Sequence, residues 1–168
     1  MKPFPRLAAI VLATTFAMAA PMALAQDWPK QKPVQLVVGF AAGSSTDIVA
    51  RIVAQKLSEL LGQSVVVENK GGAGGNIAAQ QVKNAAPNGY MLLVTSVAFA
   101  VNPSLYSNAG FDPFKDFMPV ILAASTPNII TVHPAVAAKN LTELVALARK
   151  EPLSYASSGI GTTTHLTM

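Results

Sequence analysis

Hydroxyls and glycines, set in short loops ahead of apolar helical runs, are the residues of this chain best placed to do chemistry. Phe40, Ala41, Ala42, Gly43, Ser44, Ser45 and Thr46 follow the apolar run Leu36, Val37, Val38. Beyond them Ile48, Val49, Ile52, Val53, Leu57, Leu60 and Leu61 recur at helical spacing, and Gly62 is placed to end the helix. A strand that runs through a Gly/Ser loop into a helix N-terminus exposes backbone N–H groups beside the positive end of the helix dipole, which favours an anion. Loops of this kind recur with different letters around 71–76, 96–102 and 158–165, so several mouths can converge on one ligand. The plainer reading of any one loop is that small residues permit a tight turn.

Enzyme signatures are missing at these loops. Gly71, Gly72, Gly74 and Gly75 do not make G-x-G-x-x-G, because Ile77 takes the last position, and no acidic residue follows at the required distance. No Lys-Ser/Thr pair follows a glycine cluster, so there is no phosphate loop. Neither the Ser44 nor the Ser158 neighbourhood spells the G-x-S-x-G of a nucleophile elbow. His133 and His165 lack acidic neighbours and metal-ligand spacing. His133 precedes Pro134 and reads as structural, whereas His165, opening the last helix, can cap, pack or touch a ligand. Asp47 is a general base or, on the plainer reading, a first-turn acid that complements the dipole and bonds loop N–H groups. Arg51, one turn later, pairs with Asp47 across i,i+4 or reaches a ligand carboxylate.

The first 25 residues read as an export signal, with Lys2 and Arg6 before an apolar stretch and Ala23-Leu24-Ala25 as the cleavage site. Cleavage leaves 143 residues from Gln26, with ten basic and eight acidic side chains, a net charge of +2. That balance, with no basic run, gives no footprint for nucleic acid. The absence of cysteine excludes disulfides, thiolate metal sites and cysteine nucleophiles, and in an exported chain it favours a bacterial periplasm.

The elements that must position the loops alternate. Strands are expected at 36–38, 64–68, 90–95 and 153–157, helices at 48–61, 77–84 and 141–150, and extended segments at 120–124 and 128–132 around Thr126-Pro127. Pro87-Asn88-Gly89 is a turn, and 96–106 reads as a loop interrupted by Pro103. Asn140 and Glu143 form a capping-box-like helix start. Alternating strands and helices imply an α/β fold with a mainly parallel sheet, whose ligands bind beyond the carboxyl ends of the strands.

The letters at 38–51, VGFAAGSSTDIVAR, resemble the first loop and helix of the substrate-binding proteins of tripartite tricarboxylate transporters, the Bug family. The likeness continues in VENKGGAGGNI at 67–77, PNGY at 87–90, VNPSLY at 101–106, DFMPV at 116–120 and YASSGIGTTTHL at 155–166. Ser44-Ser45 departs from it, since the family usually carries a second glycine and often a proline there.

The resemblance implies a periplasmic-binding-protein-like (type II) Venus flytrap. Residues 26–123 would form most of the first α/β domain and 124–168 the crossover and the start of the second, with a C-terminal half missing. It implies capture of a small carboxylate (a di- or tricarboxylate, an acidic amino acid or an aromatic acid) and delivery to membrane permease subunits, without catalysis, cofactor or metal. The implied receptor is a monomer. Ligand contacts are expected from Phe40, Ala41, Gly43, Ser44, Ser45, Thr46 and Asp47, with Ser96 and Ala98 nearby, and from Ser158, Gly159, Gly161, Thr162 and Thr163 across the cleft. Lys70 is the one cation in these loops. The rival readings are an exported serine hydrolase using Ser44 or Ser158, a carboxylate sensor acting in signalling, and a structural or interaction domain.

Overall fold

Short β-branched runs form three parallel strands in the computed structural model, which describes residues 28–168. The segment read as an export signal lies outside the described residues. Strand β1 (Val34–Val38) is central, flanked by β2 (Val65–Asn69) and β3 (Met91–Val94) in the order β2-β1-β3. Leu36 pairs with Val67 on one side and Leu92 on the other. A central parallel strand is covered on both faces, so it reads as a nearly continuous apolar run. Val34, Leu36, Val37 and Val38 are all buried, and only Gln35 departs from that.

Helix α1 (Ser45–Leu61) links β1 to β2. Ser44 caps its start by accepting a hydrogen bond from the Asp47 amide, and Gly62 ends it at φ 60° in the left-handed region that favours glycine. Its buried positions are Asp47, Ala50 and Ala54. Ile48, Ile52 and Leu60, which the apolar spacing counted towards the inner face, are 52%, 64% and 73% exposed. Periodicity located the helix but not its rotation, because two alanines let its axis approach the sheet closely. After β2 a 3₁₀ turn (Ala73–Gly75) leads into α2 (Asn76–Lys83).

Residues 96–106 are not the expected loop. Ala98–Leu105 is a helix, α3, that contains Pro103. In so short a helix proline removes one internal donor, and the Tyr106 amide still reaches the Asn102 carbonyl at 2.9 Å. Beneath it Phe99, Phe111 and Phe117 stack and cross, with centroids 5.0 Å apart for Phe99–Phe111 and for Phe99–Phe117. They close the β3 side of the sheet with Ala79, Ala109 and Leu93.

Beyond Phe111 the character changes. No residue from 112 to 160 is buried. Helix α4 (Leu141–Ala148) starts as the capping pair predicts: Glu143 N–H donates to Asn140 Oδ1 at 3.0 Å, and Asn140 Nδ2 donates to Glu143 Oε1 at 2.7 Å. The strand expected at 153–157 does not form, and the segments 120–124 and 128–132 pair with nothing among the described residues. A strand needs a neighbour for its N–H and C=O groups, and none is in reach. Met118, Val120, Ile121, Leu122 and Ile129 are each about four-fifths exposed or more.

Contiguous exposed apolar side chains favour association. Residues 26–168 expressed alone should therefore self-associate and bind a hydrophobic dye. Light scattering after size exclusion reads this directly, and a sharp monomer peak with a cooperative melt would contradict it.

Candidate functional site

The loop after β1 is built around a buried carboxylate. Asp47 sits in the first turn of α1 at 2% exposure. Its Oδ2 accepts from the Gly43 amide at 2.8 Å and from Arg51 Nε at 2.9 Å, and its Oδ1 accepts from Asn69 Nδ2 at 2.9 Å. Asn69 Nδ2 also donates to the Phe40 carbonyl at 3.1 Å, and Arg51 Nη2 donates to Asn69 Oδ1 at 3.1 Å. The end of β1, the loop, the start of α1 and the end of β2 are thus tied together. Asp47, expected among the ligand-facing residues, stands behind the loop with both oxygens engaged. The i,i+4 pair with Arg51 forms as its spacing predicts.

Asp47 is drawn inward, and the amides of Ser45 and Thr46 precede it in the first turn of α1. As first-turn N–H groups they have no intrahelical acceptor, and they make no backbone hydrogen bond among the described residues. The floor beneath them is apolar: Phe40 and Ala98 pack with Val38 and Ala50. Ser96 supports that floor, its Oγ accepting from the Ala98 amide at 3.3 Å.

The glycine-rich turn after β2 joins this loop by backbone contact. A Cβ on Gly39 would lie 2.9 Å from Gly75 Cα, so only glycine lets the two turns approach so closely. The 158–165 segment arrives at the same place: a Cβ at Gly74 would meet the Ile160 carbonyl at 2.9 Å, and one at Gly161 would lie 3.7 Å from Ala98 Cβ. All four expected loops therefore converge. Within the last one the hydroxyls bond one another. Ser158 Oγ and Thr164 Oγ1 are 2.7 Å apart, Thr162 Oγ1 and Thr164 Oγ1 3.0 Å, and Thr162 Oγ1 donates to the Gly159 carbonyl at 2.6 Å. Thr163 turns away, its Oγ1 donating to Asn128 Oδ1 at 3.1 Å.

Neither histidine touches a serine. His133 Nδ1 accepts from the Ala135 amide in a local turn, and His165 Nδ1 accepts from the Gly161 amide at 3.5 Å. Ser44 Oγ is engaged as the α1 cap. Lys70 leans on Glu68 at 3.2 Å and is not a free charge at the mouth. An open groove of about 460 Å³ lies elsewhere, between Pro103 and Asp116, where Lys83 and Asp116 pair at 2.8 Å. Three asparagines escaped the sequence reading. Asn69, Asn76 and Asn102 each stand within two residues of a glycine or proline and read as turn formers. The structure makes them the polar ties between loops.

The Arg51 guanidinium, then the Gly43 amide and Asn69, hold the Asp47 carboxyl at about 2, below its ordinary 3.8. A carboxyl lowered in the folded state stabilises above its unfolded value and loses that contribution as pH falls through the folded one. Asp47→Asn should therefore melt several degrees below the wild type near neutral pH, and the gap should close as pH falls from 3.8 to about 2. Asp112 and Asp116 are lowered too, so the difference between the two melting curves isolates Asp47. A gap that stays constant across that window would refute the ionised network.

Comparison with known proteins fits this geometry. The profile of the tripartite tricarboxylate transporter family receptor matches residues 49–168. A UPF0065 protein from the tcbD-tcbE intergenic region of Pseudomonas sp. strain P51 is 37% identical over 162 residues, covering 95% of this chain and 48% of that one. The chain thus spans about half the length of the curated relatives it matches. Among solved structures it is similar to R. palustris Rpa4515 with adipate (TM-score 0.78, 38% identity, 84% of this chain and 48% of that one). It is also similar to MatC of Rhodopseudomonas palustris with bound malate (TM-score 0.69, 33% identity, 80% and 47%). The periplasmic binding protein BugD aligns at TM-score 0.68 and 38% identity, covering 81% and 46%. Its α/β fold is that of periplasmic binding proteins, and the chain belongs to the tripartite tricarboxylate transporter receptor family of Bug-type solute-binding proteins.

Proposed function

We propose that this chain supplies the first half of a periplasmic receptor that captures a small dicarboxylate and hands it to the permease of a tripartite tricarboxylate transporter. The observation that carries the reading is the pair of amides without a backbone acceptor, Ser45 and Thr46, at the start of α1, with hydroxyls and an apolar cluster nearby. Backbone N–H groups at a helix N-terminus bind a carboxylate without a cation, and the Lys70 charge nearby is already paired. Adipate and malate, held by two similar proteins, are both dicarboxylates.

One carboxylate is assigned to the loop 40–46, with Ser96 and Ala98 shaping its floor. The other is assigned to the side formed by Ser158, Gly159, Gly161, Thr162 and Thr163. Bridging waters are nearly as good as direct hydrogen bonds, so hydroxyls that already bond one another can still serve a ligand. In the same proposal the domain change falls at 123/124, export follows cleavage after Ala25, and the complete receptor acts as a monomer without cofactor or catalysis.

Calorimetry of the purified protein against mono-, di- and tricarboxylates, with product analysis, tests the assignment. Reversible dicarboxylate binding without product is expected, and turnover of any bound compound would replace the receptor with an exported hydrolase. Gly159 has φ 137°, in the region that favours glycine. Gly159→Val should weaken binding by about tenfold or more, a loss of about 1.4 kcal/mol, while His133→Ala should leave it essentially unchanged. Equal effects would refute the placement of the second loop.

A further inference from the structure

Burial stops at Phe111 and resumes only at Gly161 and Thr162. Whatever holds the last loop against the first domain must act there. The residue facing Gly161 is Asn102, on α3, itself 1% exposed. Its Nδ2 donates to the Gly74 carbonyl at 2.9 Å and to Asn76 Oδ1 at 2.6 Å. These two bonds fix the orientation of the amide, since a flip would set its oxygen against two acceptors. Its Oδ1 therefore points away from the glycine turn and has no hydrogen-bond partner among the described residues. A Cβ built on Gly161 would lie 2.5 Å from that oxygen.

A buried amide oxygen without a donor is costly, and such groups in native structures call for an explanation. Here the oxygen meets Gly161, a backbone position that carries a hydrogen where other residues carry a side chain. Contact with the Gly161 Cα–H is the weak hydrogen bond available in that geometry.

We propose that Asn102 is a positioning residue: it anchors the 159–162 loop on the first domain, and the loop seats only because Gly161 offers no side chain to its Oδ1. The ligand consequence rests on the site assignment above, in which that loop closes over the carboxylate; the anchoring does not.

Amide hydrogen exchange in the ligand-free full chain separates the two. Asn102→Ala should speed exchange across 159–165 by about tenfold, as expected for a lost local contact, while β1 keeps its protection. Gly161 and Gly159 both have positive φ, 84° and 137°. Only at Gly161 does a Cβ meet Asn102, because at Gly159 the nearest atom is Thr162 Cγ2 at 3.9 Å. Gly161→Ala should therefore loosen the loop far more than Gly159→Ala, and once Asn102 is already alanine it should add clearly less, keeping the strain of its positive φ, whereas Gly159→Ala should add in full. Equal loosening by the two alanine variants, or full additivity of Gly161→Ala with Asn102→Ala, would overturn the proposal. The glycine comparison alone decides the matter should Asn102→Ala unfold β1. If Asn102→Ala loosens the loop but leaves adipate and malate affinities unchanged, the anchor stands and the site assignment falls.

Discussion

The buried Asp47 carboxylate is the constraint on which the loop after β1 depends. A charge taken out of water must be paired and hydrogen-bonded or it destabilises the fold. Here the pairing comes from Arg51, the Gly43 amide and Asn69, drawn from three separate elements. Satisfying one charge therefore fixes the relative position of loop, helix and neighbouring strand. It also sets the electrostatics of the mouth. Asp47 and Arg51 neutralise each other, so in the proposed function an anion would meet N–H dipoles and no net positive charge.

The same site relies on backbones coming closer than side chains allow. Gly39 against Gly75, Gly74 against Ile160 and Gly161 against Asn102 are approaches where a Cβ would collide. They draw the loops after β1 and β2 and the 158–165 segment to one spot, while the apolar floor of Phe40 and Ala98 carries the loop after β3. The glycines thus do more than permit turns, although the turn reading was the safer one for each loop taken singly. What no single loop reveals is that the four meet.

Much of the fold was legible because its signals are local. The valine and leucine runs of β1, the cap at Ser44, the stop at Gly62, the i,i+4 pair of Asp47 and Arg51, and the Asn140 and Glu143 pair all act within a few residues. Pro103 misled because its effect depends on helix length, which composition does not give. The rotation of α1 misled because Ala50 and Ala54 win the inner face by size and not by hydropathy. The strand expected at 153–157 failed for another reason, since pairing is a property of two segments and its neighbour is not in reach. The asparagine ties were invisible for the same cause: Asn102 reaches Asn76 and Gly74 across 26 and 28 residues.

That the second segment is held by an amide and a glycine, not by its many apolar side chains, has a physical logic. Parting two apolar faces exposes area to water at roughly 25 cal/mol per Å², so a loop seated that way resists opening. An amide oxygen resting against a Cα–H regains a hydrogen bond from water when the contact opens, so the contact resists opening only weakly. A small polar seat therefore lets the loop part and return at little cost, while its tight steric fit still selects one position. Meanwhile Met118, Val120, Ile121, Leu122 and Ile129 stay exposed, and within that strip Asn128 reaches the loop through Thr163. The proposed seat of the loop and the exposed apolar side chains thus rest on different interactions.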